Sequence, residues 1–395
     1  MGVTSRSNRP NEWAAKINHT HIINDPVIRN FIEGCYVPSE SSEIEANDKE
    51  KSESLGVNHT DPIEHVLAVD GGYTTVEVSK RFPSAQFAFF QFGAVLLNKA
   101  DLEGLSEKPH IFPEDMQRLH NLQRFKLAVP IKNIVSKSES SLKDSFRRSI
   151  YEFFMQEREQ NSFIETLEWF VFEMYREPTR DEEENGRTYG LANNPSLGVR
   201  TGKVVLNQKE MKSDYTFDSP SGPIYLTDVF RLHEVVDEDQ GAAGTLGLLT
   251  RLIEQFILIH FIRVILKHQS RLLSQFLFVA DGPLSFSGNT ASMNASMRNL
   301  CNFLLEEHNL YLVGLEKSGP FVEHAQEICA PRGGESLLKP GDFLLLSNEH
   351  IYKYITPGDP SGDPYGVSSY YSGKVIFHSI SGQVLVVTVP IPKQD

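Results

Sequence analysis

The sequence is poor in cysteine and in positive charge. Its 395 residues include only three cysteines, scattered without a C-x-x-C spacing (Cys35, Cys301 and Cys329). A small, odd set of this kind argues against a disulfide framework or a zinc site and favours reduced thiols. Lysine and arginine number 38 against 52 acidic residues, which gives a net charge of −14. Such a surface repels a phosphate backbone on average, so any contact with nucleic acid has to be local or supplied by a partner.

Long hydrophobic runs and nucleotide-phosphate loops are also missing. The first residues, MGVTSRSNRPNEW, have no apolar segment of the kind that secretory signals carry. The strongest apolar run, residues 256–266, is interrupted by His260 and Arg263 and is too short to span a bilayer. We therefore expect a soluble cytoplasmic protein with no membrane segment. Because no G-x-x-x-x-G-K-[ST] motif occurs, the chain is not expected to drive a motor through a P-loop.

The segments that are present suggest two parts. Residues 1–60 combine a short apolar stretch with a polar linker, SESSEIEANDKEKSESLGVNHTD. Residues 61–395 begin with LAVDGGYTTVEV, which predicts a strand–turn–strand hairpin, and AQFAFFQFGAVLL predicts a third strand. We expect a largely helical insertion over about 100–245, with a polar loop at 177–201. A long helix is predicted over 245–268 from its apolar spacing. With the strand-like segments that follow, this order predicts an α/β fold with a mixed sheet flanked by helices.

Two aspartates have matching positions in this pattern. Asp70 follows an apolar strand and precedes two glycines, and Asp281 follows FLFVA and precedes Gly-Pro. Either one alone reads more simply as a turn residue. If their strands are neighbours in the sheet, however, the two carboxylates converge. Paired carboxylates of this kind hold two Mg²⁺ or Mn²⁺ ions about 4 Å apart for phosphodiester hydrolysis.

Three further residues are candidates for the same site. Glu254 lies at the margin of a buried helix face, where it needs a metal or a partner such as Arg251 or Arg263. Lys317 follows the strand YLVGLE, where an ammonium group could stabilise charge on a scissile phosphate. His378 lies in the strand GKVIFH. A lone histidine there is usually structural, but at the same sheet edge it could move protons or bind phosphate.

Taken in order, LAVDGGYTTVEV, FLFVADGPL, LVGLEKSGPF and a tyrosine–histidine strand before VVTVPIP resemble the NurA nuclease family over roughly residues 60–395. The resemblance implies an RNase H/PIWI-like core and a DNA nuclease that uses Mn²⁺ or Mg²⁺. It implies metal-binding carboxylates at Asp70, Glu254 and Asp281. The other catalytic positions that it implies are Lys317, Tyr370 or Tyr371, and His378. It also implies a homodimer docked on a hexameric HerA-type ATPase that drives DNA into the nuclease, in DNA end processing or in defence against phage.

The sequence departs from the family pattern in several places, and other interpretations stay open. The second motif reads D-G-P-L where D-G-S-L is more usual, and Glu234 is a substitute for Glu254 as the helical glutamate. A sugar-kinase or actin-like ATPase would explain DGGYTT. A restriction-type nuclease would use Asp281 with Glu316 and Lys317, although that motif places its carboxylate and lysine two residues apart. The last alternative is a catalytically inactive adaptor of a motor complex.

Overall fold

A mixed nine-stranded sheet organises the chain. The computed structural model describes residues 24–39, 52–54, 61–100, 121–156, 162–195, 197, 202–331, 336–359 and 361–391. The described strands are β1 (Ser52–Ser54), β2 (His65–Ser79), β3 (Phe82–Asn98), β4 (Asn121–Lys132), β5 (Thr188–Leu191), β6 (Val204–Asn207), β7 (Thr216–Phe217), β8 (Ile224–Tyr225), β9 (Phe276–Asp281), β10 (Tyr311–Glu316), β11 (Asp342–Leu345), β12 (Ser372–His378) and β13 (Val384–Pro390). The described α-helices are α1 (Pro26–Glu33), α2 (Leu142–Met155), α3 (Phe163–Val171), α4 (Arg180–Asn185), α5 (Leu246–Gln269), α6 (Met293–His308), α7 (Pro320–Cys329) and α8 (Asn348–Tyr354).

The order of the strands places three parallel strands at the centre of the sheet. Across the sheet the order is β1-β11-β12-β13-β10-β9-β2-β3-β4, while β5–β6 and β7–β8 form two small separate pairs. Strand β9 runs parallel to both β2 and β10, whereas β3 is antiparallel to β2 and β4. The predicted α/β class with a mixed sheet and flanking helices is confirmed at this level.

Helix α5 is the main support of the central strands. Its apolar residues recur around most of the helix surface, which is typical of a helix that is buried on several sides. Ile253 and Ile257 are buried in the same core as Leu67 of β2 and Phe278 of β9. The helix predicted over 245–268 is confirmed, with bounds of Leu246–Gln269. Packing of α5 on β2 and β9 therefore fixes the position of residue 254 relative to these two strands.

The predicted turn at Asp70-Gly71-Gly72 is wrong. Strand β2 continues through these residues and pairs with β3 from His65 to Ser79. Gly71 pairs with Phe92, and a Cβ on Gly71 would lie 2.4 Å from the Cδ1 atom of that ring. The glycine is thus required by the close approach of an aromatic side chain inside a continuous strand, and sequence reasoning mistook this requirement for a turn signal.

The insertion between the hairpin and α5 is less helical than predicted. Residues 121–132 form the strand β4, because Phe125, Leu127, Val129 and Ile131 alternate on the buried face of the sheet. Residues 101–120 lie outside the described residues. The segment after β4 contains α2 to α4 together with four short strands, and α4 and β5 occupy part of the predicted polar loop.

Little of the predicted N-terminal part is described. Within it, Pro26–Glu33 form α1 and Ser52–Ser54 pair with β11 at one edge of the sheet. The predicted boundary at residues 60–61 falls beside residues 55–60, which are outside the described ranges. Across the described parts of the chain, no helix combines the length and apolar character needed to cross a bilayer.

Candidate metal-binding carboxylate site

Asp70 and Asp281 lie side by side where β9 ends. Strands β2 and β9 pair in parallel up to Val69 and Ala280, and the two aspartates are the next residues on each strand. Their backbones are therefore about one strand spacing, ~5 Å, apart. Because Val69 and Ala280 are buried on the helix side, both aspartates project from the opposite face. The structure thus brings together the two residues that the sequence paired.

Glu254 approaches this point from helix α5. Beyond Val69, strand β2 has run past the end of β9, and the Gly71 N–H donates to the Glu254 carboxylate. Only 5% of Glu254 is exposed. Burial, followed by the negative charges of Asp281 and Asp70, raises the pKa of Glu254 to about 8. Three carboxylates from β2, α5 and β9 therefore interact at one end of the sheet.

The other partners considered for this position are engaged elsewhere. Arg251 donates to a backbone carbonyl of its own helix, and Arg263 contacts side chains of α3. The substitute carboxylate, Glu234, forms an ion pair of 2.7 Å with Arg231. Of the two glutamates, Glu254 is the one that the structure places beside the aspartates.

Lys317 completes the cluster. Its Nζ atom lies 2.9 Å from Oδ2 of Asp281, and this contact raises the pKa of Lys317. The lysine side chain keeps 64% exposure, compared with 29% for Asp281. Glu316, the preceding residue, points to the other face of β10 and forms an ion pair with the buried Lys374. A restriction-type arrangement would need Glu316 and Lys317 on one face, and the structure separates them.

The predicted site tyrosine does not touch the carboxylates. Tyr371 is buried, and its hydroxyl donates to Oε1 of Gln255 at 2.8 Å. Burial also raises its pKa well above the ordinary value. Gln255 in turn donates to the carbonyl of Ser285, in the loop after Asp281. Tyr371 therefore supports the helix that carries Glu254, whereas its neighbour Tyr370 borders a cavity on the helix side of the sheet.

His378 also lies away from the cluster. It belongs to β12, and β13 lies between β12 and β10. Ile376 of β12 and Glu316 of β10 lie at the same level along the strands, because both pair with Val386 of β13. His378 is therefore close to the level of Lys317 along the strand direction. Two strand spacings nevertheless put β12 about 10 Å from β10. The His378 ring is buried, and its Nδ1 atom contacts the Leu338 carbonyl at 2.8 Å. The structure therefore does not place His378 in the carboxylate site, where the sequence analysis expected it.

The donor set at the sheet end suits a hard divalent cation. Three carboxylates interact near one ammonium group, and the pKa of Glu254 is raised first by burial and then by the charges of Asp281 and Asp70. Oxygen donors of this type are the ligands that Mg²⁺ and Mn²⁺ prefer. Within the described residues, no three His, Cys, Asp or Glu side chains are arranged to hold one ion by themselves. Magnesium commonly takes one or two carboxylates and keeps several waters, so a pair from this set is sufficient.

Sequence reasoning missed two contacts that shape this end of the sheet. One is the Lys374–Glu316 ion pair on the helix side, and the other is the contact of Gln255 with Tyr371 and Ser285. The first could have been found, because Lys374 alternates with Ile376 in GKVIFH and so lies on the buried face, where a lysine needs a partner. No comparable pattern in the sequence singled out Gln255.

Comparison with protein-family models and with curated protein sequences finds no match for this chain.

The close approach at Gly71 gives a paired test of the site's backbone. In Gly71→Ala the new methyl group meets the ring of Phe92, which is fully buried beside Phe90 and Phe153, and it approaches Oε1 of Glu254 to 3.1 Å. We expect a loss of about 1–3 kcal/mol in the free energy of unfolding. A Cβ on Gly72 meets nothing within 4 Å, so Gly72→Ala is the matched control and should change stability by less than about 0.5 kcal/mol. Urea unfolding of both variants measures the difference, and equal midpoints would contradict the packing argument.

Proposed function

We propose that the protein is a metal-dependent DNA nuclease with an RNase H-like core. The observation that carries the proposal is the convergence of Asp70, Glu254 and Asp281, from three separate elements, beside the ammonium group of Lys317. Three antiparallel strands followed by two parallel ones, with the carboxylates at the carboxyl end of β9, are compatible with such a core. The order of the sequence motifs that resemble NurA nucleases supports the same function.

Each residue of the cluster has a role in this proposal. Asp70, Asp281 and Glu254 would hold Mn²⁺ or Mg²⁺, which when bound supplies an activated water and stabilises charge on the phosphate. Lys317 is exposed enough to meet a phosphate oxygen and to offset the charge that develops there. In the metal-free protein Glu254, with a pKa of about 8, holds a proton at neutral pH, and a bound cation would displace that proton. The Gly71 N–H favours the charged form of that carboxylate.

The same proposal includes partners. DNA is the substrate, and a hexameric HerA-like ATPase is the proposed translocase, with the nuclease acting as a homodimer in end processing or phage defence. The net charge of −14 supports the need for a motor, because this surface does not attract DNA by itself. Light scattering of the purified chain tests the dimer, and a strict monomer at micromolar concentration would contradict it.

Cleavage of labelled linear DNA in Mn²⁺, with and without a HerA-like ATPase, tests the central proposal. Asp70→Asn keeps the size of the side chain but removes a charge from the proposed metal site, so we expect cleavage to fall by at least ~10²-fold. Asp239→Asn, an exposed aspartate on the turn before α5, is the matched control and should leave cleavage unchanged.

Two results would contradict the nuclease proposal. One is equal cleavage by the wild type and Asp70→Asn in both settings. The other is the absence of metal-stimulated cleavage by the wild type with the ATPase present. Robust ATP hydrolysis by the isolated chain would instead favour the sugar-kinase or actin-like alternative.

A further inference from the structure

A cavity of about 360 Å³ lies on the helix side of the sheet, between α6, α8 and the start of β12. We call it the β12 cavity and define it by five of its lining residues: Arg298, Ser347, Tyr365, Tyr370 and Lys374. Its volume falls within the range of about 300–1,000 Å³ that is usual for small-molecule sites. It is therefore large enough for one mononucleotide unit.

One wall of the β12 cavity is aromatic. The rings of Tyr365 and Tyr370 are 5.6 Å apart, and Tyr365 also packs 5.5 Å from Phe321. Both tyrosines are half-buried, so their ring surfaces are fixed but still reachable. Rigid aromatic surfaces of this type bind nucleobases by stacking, without requiring a particular base.

The cavity also carries positive charge. Arg298 donates to the carbonyls of Val367 and Tyr370, which hold its guanidinium group in place. Among the described residues no carboxylate forms an ion pair with Arg298. Lys374 is only 3% exposed, and its ammonium group lies 4.5 Å from the Tyr370 ring and is paired with Glu316. Arg298 is thus the cation that can meet a phosphate, while Lys374 is held as part of the wall.

The cavity and the carboxylate site share structural elements. The loop after Asp281 is joined to the cavity wall, because Ser285 pairs with Tyr370 and Ser372 donates to the Leu284 carbonyl at 3.0 Å. At the end of β10, Glu316 contacts Lys374 on the helix side of the sheet, and the next residue, Lys317, contacts Asp281 on the opposite side. The cavity and the carboxylate site therefore lie on opposite faces of the sheet and are connected through β10 and the loop after Asp281.

We propose that the β12 cavity binds one nucleotide of a DNA strand, with the base against Tyr365 and Tyr370 and the phosphate at Arg298. This subsite rests on the proposed nuclease function. A free nucleoside monophosphate has the same chemistry, and it binds the same cavity as a released product.

Binding measurements in EDTA test the subsite without cleavage. Titration calorimetry with thymidine monophosphate measures the free nucleotide, and anisotropy of a fluorescein-labelled single-stranded oligothymidylate measures the strand. In Tyr365→Ala and Arg298→Gln we expect roughly 10-fold weaker binding of both probes, since each change removes a stacking surface or a charge-assisted contact. Arg271→Gln, an exposed arginine before β9, is the matched control and should bind like the wild type.

A second variant covers the case in which Tyr365→Ala disturbs the local packing. Val367 is exposed at the rim of the cavity, so Val367→Glu should fold normally while adding a negative charge beside Arg298. This variant should weaken the binding of both probes to a similar extent. Circular dichroism during thermal unfolding confirms that each variant is folded.

The outcomes separate this proposal from the nuclease proposal. If the wild type binds neither probe, or if Arg298→Gln and Val367→Glu bind like Arg271→Gln, the subsite is wrong whatever the cleavage result. If Asp70→Asn cleaves like the wild type while the cavity variants lose binding, the carboxylate site is wrong and the cavity stands as a nucleotide site. Binding of the monophosphate alone would assign the cavity to a product and not to the strand.

Discussion

Replacing Glu254 by glutamine is expected to make the metal-free protein more stable at pH 8 and to remove the proposed nuclease activity. The ordinary glutamate pKa is 4.5, and in the folded protein it is raised to about 8. Between these values the folded state binds a proton that the unfolded state releases, so stability falls as the pH rises through this window. Glutamine removes the buried charge, and we expect a gain of about 2–4 kcal/mol at pH 8 that disappears below pH 4.5.

Urea unfolding in EDTA between pH 4.5 and pH 9 measures this effect. The wild type should lose stability with rising pH, and Glu254→Gln should lose less. Adding Mn²⁺ at pH 8 should stabilise the wild type more than the variant, because ligand binding to the folded state raises stability. Cleavage should fall by ~10²–10⁴-fold. Glu306→Gln, on the exposed face of α6, is the control, and an equal pH dependence in all three proteins would contradict the buried, charge-coupled glutamate.

Replacing Lys317 by methionine is expected to separate metal binding from catalysis. The ammonium group is 2.9 Å from Asp281 and therefore competes with a cation for that carboxylate. In Lys317→Met we expect tighter Mn²⁺ binding, by roughly 3- to 10-fold, since a competing charge near the surface contributes up to about 1 kcal/mol. Cleavage should nevertheless fall by ~10²–10³-fold, because the charge that stabilises the phosphate is lost.

Calorimetric titration with Mn²⁺ and cleavage of linear DNA at saturating metal measure the two quantities. Lys339→Met removes an exposed lysine outside the site and should change neither. Weaker metal binding in Lys317→Met would mean that the lysine holds the carboxylates in position for the cation and does not compete with it. Unchanged cleavage would remove Lys317 from the proposed mechanism.

The part of the fold that follows from local pattern was predictable from the sequence. The apolar spacing around Ile253 and Ile257 predicted α5, and the run before Asp281 predicted β9. The pairing of Asp70 with Asp281 needed one further condition, that β2 and β9 are neighbours, which no local pattern contains. Parallel pairing in register, up to Val69 and Ala280, satisfies that condition.

The features that local pattern did not reveal depend on contacts between residues that are distant in the sequence. Gly71 resembled a turn residue because Phe92, the ring that requires a glycine there, lies on another strand. Glu316 and Lys374 form a buried pair across β13, which strand order alone decides. The distance of His378 from β10 depends on the same order of strands. The periodicity of the sequence indicates which face of the sheet a side chain lies on, but it does not indicate which strands are neighbours.

The buried contact of Gln255 with Tyr371 and Ser285 links the position of one carboxylate to the shape of a loop. Gln255 follows Glu254 on α5, and its amide donates to the carbonyl of Ser285 while accepting from the Tyr371 hydroxyl. Hydrogen bonds shielded from water in this way resist being broken one at a time. Any displacement of the loop after Asp281 therefore acts on α5 as well. The shape of this loop and the spacing of the carboxylates are therefore mechanically coupled.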